Sequence, residues 1–191
     1  YTGFLSSVTT AHADDAFADG NIPDAYSLVS SLLDAIIGTT VPPFRLAKIE
    51  GDAVFVYATG TDSFPHGQDV LDCMRSCYAA FRDRLGNARD VWSCRCDACA
   101  RVDQLDLKFV LHHGSYVIHP LAGGTELVGS EVVMVHRLLK NRASEIVGNR
   151  PYALITQAAA DALDVPCDGA REITEQYEHL PPIITRVLPL G

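Results

Sequence analysis

Basic residues, tryptophan, methionine and long apolar runs are all scarce in this chain. Lysine and arginine number 15 against 24 aspartates and glutamates, a formal net charge of −9. That deficit argues against a nucleic-acid backbone or an anionic membrane as the main partner. A small anionic ligand in a locally positive pocket remains compatible with it. No apolar run approaches the about 18 residues needed to cross a bilayer. No secretory signal, internal repeat or low-complexity tract is visible. Without a signal, the six cysteines (Cys73, Cys77, Cys94, Cys96, Cys99 and Cys167) read as reduced thiols or metal ligands rather than a disulfide framework, which implies a cytoplasmic protein.

What is present fits an ordinary globular chain. Its 191 residues, 48% apolar and 20% charged, suffice for one well-filled core in a single domain spanning residues 1–191. The most informative stretch is AKIEGDAVFVYA, residues 47–58. The run Ala53–Ala58 is β-branched and aromatic with no internal charge, as in a buried strand. Gly51-Asp52 is where the chain can turn sharply, because glycine tolerates positive φ. A β-hairpin follows, with Lys48 on its incoming strand and the Asp52 carboxylate at its tip. A carboxylate held at a tight turn can take a hard cation. The plainer alternative is that both are ordinary rim residues.

Around the hairpin the pattern is helix, hairpin, helix, strand pair, helix, strand. Pro23 opens a helix whose stripe Leu28, Val29, Leu32, Leu33, Ile36 and Ile37 has helical spacing, and Gly38 closes it. Ala11–Asp24 before it reads as a loop or a short helix. A second helix spans about Gln68–Leu85, with Cys73 and Cys77 on its apolar face. Residues 86–104 break the pattern as a cysteine-rich insertion. Leu105–Leu111 and Tyr116–Ile118 are expected strands with His112 and His113 at a strand end, and Gly123-Gly124 marks a loop. A third helix runs from about Ser130 to Asn141. Tyr152–Ile155 is a further strand, Thr156 can cap the helix after it, and the proline-containing tail suits edge strands. The sum is an α+β domain with helices on one face of a largely antiparallel sheet.

Three segments in order, AKIEGDAVFVYA, LDLKFVLHHGSYV and ELVGSEVVMVHRLLKN, resemble the catalytic domain of class III nucleotide cyclases. The likeness is closer still to an uncharacterised bacterial family of cyclase-like domains with a short cysteine-rich insertion. It covers Tyr1 to about Asn141. The resemblance implies a ferredoxin-like βαββαβ core and a homodimer with active sites in the shared cleft. It also implies in-line conversion of a nucleoside triphosphate to a cyclic monophosphate and pyrophosphate, helped by magnesium or manganese. Asp52 stands at the second metal aspartate of that family. The first aspartate, with the first core strand, would lie upstream of Tyr1. Lys48 and Glu126 match the pair that reads a purine base, and Arg137 matches the arginine that steadies transition-state charge. The family's ribose-positioning asparagine is replaced by Val133, His136 replaces a small residue, and no late phosphate-gripping lysine is found.

Cys94, Cys96 and Cys99 can supply three corners of a tetrahedral zinc site, the fourth coming from Cys73, Cys77, Cys167 or a histidine. A disulfide or free thiols are the alternatives. Three functions follow in order. The first is a cyclase-like domain that has lost most or all cyclase activity, serving as a nucleotide-binding or dimerisation module. An active adenylate cyclase is second, and a metal or redox sensor run by the cysteine loop is third.

Overall fold

The computed structural model describes residues 1–11, 22–60, 67–91, 104–121 and 124–190. Strand β1 (Thr2–Ala11) leads to helix α1 (Ile22–Thr40), the hairpin β2 (Arg45–Glu50) and β3 (Ala53–Thr59), helix α2 (Gln68–Val91) and β4 (Asp106–Ser115). These strands lie as β2-β3-β1-β4 with antiparallel neighbours. Sequence order and strand order together are those of a ferredoxin-like βαββαβ core. The chain continues with a two-stranded arm of β5 (Val117–Leu121) and β6 (Gly124–Val128), helix α3 (Ser130–Leu138) and the short α4 (Ser144–Val147). It ends with β7 (Tyr152–Thr156), α5 (Gln157–Leu163), β8 (Arg171–Glu175) and β9 (Ile183–Pro189). β7 joins β4 in parallel, and β9 then β8 extend the sheet antiparallel to seven strands among the described residues.

The expected α+β class with a mostly antiparallel sheet holds, but the helices lie on both faces rather than one. Side chains alternate along a strand, so β3, buried throughout, sends Val54, Val56 and Ala58 to one cluster and Phe55 and Tyr57 to the other. The first cluster takes Leu28, Leu32 and Ile36 of α1, the apolar stripe of α2 and Leu163 of α5. The second takes Val132, Val135 and Leu138 of α3. Leu32 and Ile36 are fully buried, and each such side chain contributes roughly 1.5–3 kcal/mol of transfer free energy. A strand apolar on both faces has no solvent side, which is why its sequence shows no alternation.

The expectation that the first core strand lies upstream of Tyr1 is corrected. β1 sits between β3 and β4 and pairs with both along most of its length. Its sequence hid it, because Ser6, Ser7 and Thr10 are buried where an apolar run would have drawn attention. Gly3 is obligatory there: a Cβ would stand 2.1 Å from the Ala58 carbonyl oxygen. Other differences are local. α1 runs two residues past Gly38, where the Thr39 and Thr40 hydroxyls bond back to the Ile36 carbonyl. α2 continues to Val91, α3 stops at Leu138, and the stretch after Gly123 is strand β6. β9 is interior to the sheet and only β8 forms that edge.

Candidate functional site

The hairpin forms as its sequence demands. Gly51 adopts φ 61°, and a bulge between Leu46 and Lys48 sets the register so that Lys48 opposes Phe55 and Glu50 opposes Ala53. Residues directly opposite share a face, so Lys48 and Glu50 lie on the Phe55 side, the side occupied by α3. Asp52 sits at the tip beside β1. Its carboxylate accepts from the Thr9 hydroxyl at 3.3 Å, and its carbonyl from the Thr10 N–H at 3.2 Å. The neighbour that β1 offers to Asp52 is therefore a hydroxyl within this chain, where an aspartate from an upstream strand was expected.

Lys48 and Glu126 do meet. The arm brings β6 over β2, placing the Lys48 ammonium 3.6 Å from Glu126. A nearer partner, absent from the sequence expectation, is Glu50 at 2.8 Å. Glu50 beside it holds the Lys48 ammonium above the usual lysine range. The other Glu50 oxygen lies 3.3 Å from His136 Nδ1, and the His136 ring packs on Phe55 at 4.8 Å between centroids. The alternation of Lys48 and Glu50 along β2 was a signal that could have found this pair.

Arg137 is placed elsewhere. α3 turns His136 toward β2, while Arg137 donates to the Glu178 carbonyl at 3.1 Å, in the connection between β8 and β9. Arg137 is thus engaged with the β8–β9 connection, and Asp52 with β1. Val133, one turn before Arg137, is 50% exposed and offers no polar group.

His112 and His113 lie inside β4, not at its end. His112 is buried, with Nε2 2.7 Å from Glu131 and Nδ1 2.9 Å from the Thr156 hydroxyl. Burial holds both imidazoles below the usual histidine range. Thr156 caps α5 as expected, accepting from the Ala159 N–H. With Glu131 ionised, the consistent chain runs from Ala159 N–H to Thr156, from the Thr156 hydroxyl to His112, and from His112 Nε2–H to Glu131. This anchors the start of α3 to the sheet, with Thr156 buried beneath it.

Cys94, Cys96 and Cys99, and with them the zinc expectation, lie outside the described residues. Cys73, Cys77 and Cys167 are free thiols, and burial pushes the Cys77 thiol up to about 11. Among the described residues no group of three His, Cys, Asp or Glu side chains could hold a metal. Asp52 still fits a magnesium or manganese ion in one way, as a single carboxylate completing a shell of nucleotide phosphates and water.

Residues 29–146 match the family described as "Protein of unknown function (DUF2652)". The chain belongs to that family. It is also 34% identical over 154 residues to the "Uncharacterized protein Rv2561/Rv2562" of Mycobacterium tuberculosis (strain ATCC 25618 / H37Rv), covering 80% of this chain and spanning 65% of that protein. In three dimensions this DUF2652 member resembles the guanylyl cyclase Cya2, with TM-score 0.69 and 13% identity over 100% of this chain and 93% of the other. It resembles the adenylyl cyclase CyaB from P. aeruginosa similarly, with TM-score 0.67 and 13% identity over 98% and 95%. At that identity the likeness speaks for the fold, and the fold is that of the class III nucleotide cyclases. No helix among the described residues is long and apolar enough to cross a membrane.

Proposed function

We propose that this domain binds a purine nucleoside triphosphate as a homodimer and turns it over little or not at all. The observation that carries the reading is the meeting of Lys48 with Glu126, brought from two separate sheets to 3.6 Å. An ammonium and a carboxylate so placed can donate to a ring nitrogen and accept from an exocyclic amine on one purine edge. Asp52 would hold a magnesium or manganese ion with the phosphates, and that ion would neutralise charge on the transferring phosphoryl group. Arg137 is engaged with the β8–β9 connection and Asp52 with β1 of its own chain, and a head-to-tail pair of chains would set the one across a shared cleft from the other. Val133 supports the loss of turnover. An exposed valine cannot hydrogen-bond a ribose, and losing one positioned donor typically costs about 100-fold or more in rate.

The test is calorimetric titration of ATP with manganese into the purified chain, alongside an assay for cyclic AMP. ATP binding that weakens about 10-fold or more in Lys48→Ala is expected, since bonds to a charged group contribute about 1.5–3 kcal/mol. Cyclic AMP formation that Asp52→Ala abolishes would instead establish an active cyclase. Absence of ATP binding by the unaltered chain would refute the nucleotide reading.

A further inference from the structure

Lys48 has three N–H bonds to place. A lysine paired with a single carboxylate satisfies itself, and an incoming base must break that pair before either group can read it. This site is built otherwise. Glu50 takes the ammonium at 2.8 Å, and Glu126 stands back at 3.6 Å. The two Glu50 oxygens are divided, one to Lys48 and the other to His136 at 3.3 Å. His136 is steadied in turn by Phe55. The edge strand, the helix and the arm are tied at one point, through two residues to which no role in recognition had been assigned.

We propose that Glu50, steadied by His136, is a positioning residue for Lys48: by claiming the ammonium it keeps Glu126 available as an acceptor. The inference rests on the nucleotide reading above and deepens it. The resulting series along the pocket is acceptor, donor, acceptor. A purine edge that sets an acceptor beside an N–H can then meet Lys48 with the acceptor while Glu126 accepts from the N–H.

Two measurements test this. In the nucleotide-free protein, the Lys48 ζ-ammonium is followed by ¹H–¹⁵N spectroscopy, where an ion-paired ammonium exchanges slowly enough with water to be seen. The signal is expected in the unaltered protein and in Glu126→Gln, and is expected to vanish in Glu50→Leu. Its survival in Glu50→Leu would overturn the proposal. The second measurement compares affinities for ATP and for inorganic tripolyphosphate. Glu50→Leu should lower the preference for ATP about 3- to 5-fold, the scale of a partly exposed ion pair. The same change made in a Lys48→Ala background should have no further effect. A merely structural Glu50 would cost the same in both backgrounds, and that result would also overturn the proposal. If the unaltered protein binds no ATP, the base-reading half falls together with the nucleotide reading. The ammonium signal still decides separately whether Glu50 holds Lys48.

Discussion

At Gly114 a single methyl group should break a buried side-chain contact. The glycine lies on β4 beneath the first turn of α3, and the space above it is filled by the Glu131–His112 contact. A Cβ there would stand 2.7 Å from Glu131 Cγ, 2.9 Å from its Oε2 and 2.9 Å from His112 Nε2. His112 cannot retreat, because it is 4% exposed and its other nitrogen is engaged by Thr156, so the partly exposed Glu131 is what moves. Gly114→Ala must therefore push Glu131 off His112. Leaving a buried ring N–H without its acceptor costs about 1–3 kcal/mol, and overpacking adds about 1–3 kcal/mol. A loss of about 3 kcal/mol is expected, which for a domain of this size lowers Tm by roughly 6–12 °C. Urea denaturation and calorimetry measure both. Gly86→Ala is the internal control. That glycine lies within α2 with nothing inside 4 Å of its Cβ, so the substitution should stabilise by about 0.5–1 kcal/mol. If Gly114→Ala proved within about 0.5 kcal/mol of the unaltered protein, the His112–Glu131 contact would not be the constraint described here.

Burial lowers the His112 and His113 pKa values from the ordinary 6.5, so the unfolded chain binds more protons as pH falls past that value. Stability should be full above about pH 6.5 and decline below it, levelling once the folded-state values are passed; urea midpoints between about pH 8 and pH 5 should show this, and a flat profile would contradict it. For the cysteine loop, metal analysis of untagged protein should find near one equivalent of zinc, lost in the triple Ser replacement of Cys94, Cys96 and Cys99; under about a tenth of an equivalent would end the zinc reading.

Much of the fold was legible because its signals are local. The α1 stripe, the Gly51-Asp52 turn and the Thr156 cap each need only neighbours a few residues away, and each stands where its pattern predicts. β1 was illegible for the opposite reason. Its stability comes from pairing with β3 and β4, and its buried serines and threonine carry no hydropathy signal. The likeness of AKIEGDAVFVYA and ELVGSEVVMVHRLLKN to cyclases led to Lys48, Asp52 and Glu126, but Glu50 and His136 gained meaning only when β2 and α3 came together.

From the amino-acid order alone came the hairpin, the helical stripes, the acidic character and the family to which the fold belongs. The hairpin and the stripes are encoded in spacing and residue type over short windows, whereas the fold family came from the resemblance of three segments to known cyclases. The approach of Glu126 and His136 to β2, the way Arg137 turns and what stands beside Asp52 were settled by contacts between segments tens of residues apart. Such contacts depend on how two faces of one sheet are covered, and a one-dimensional pattern holds no record of that.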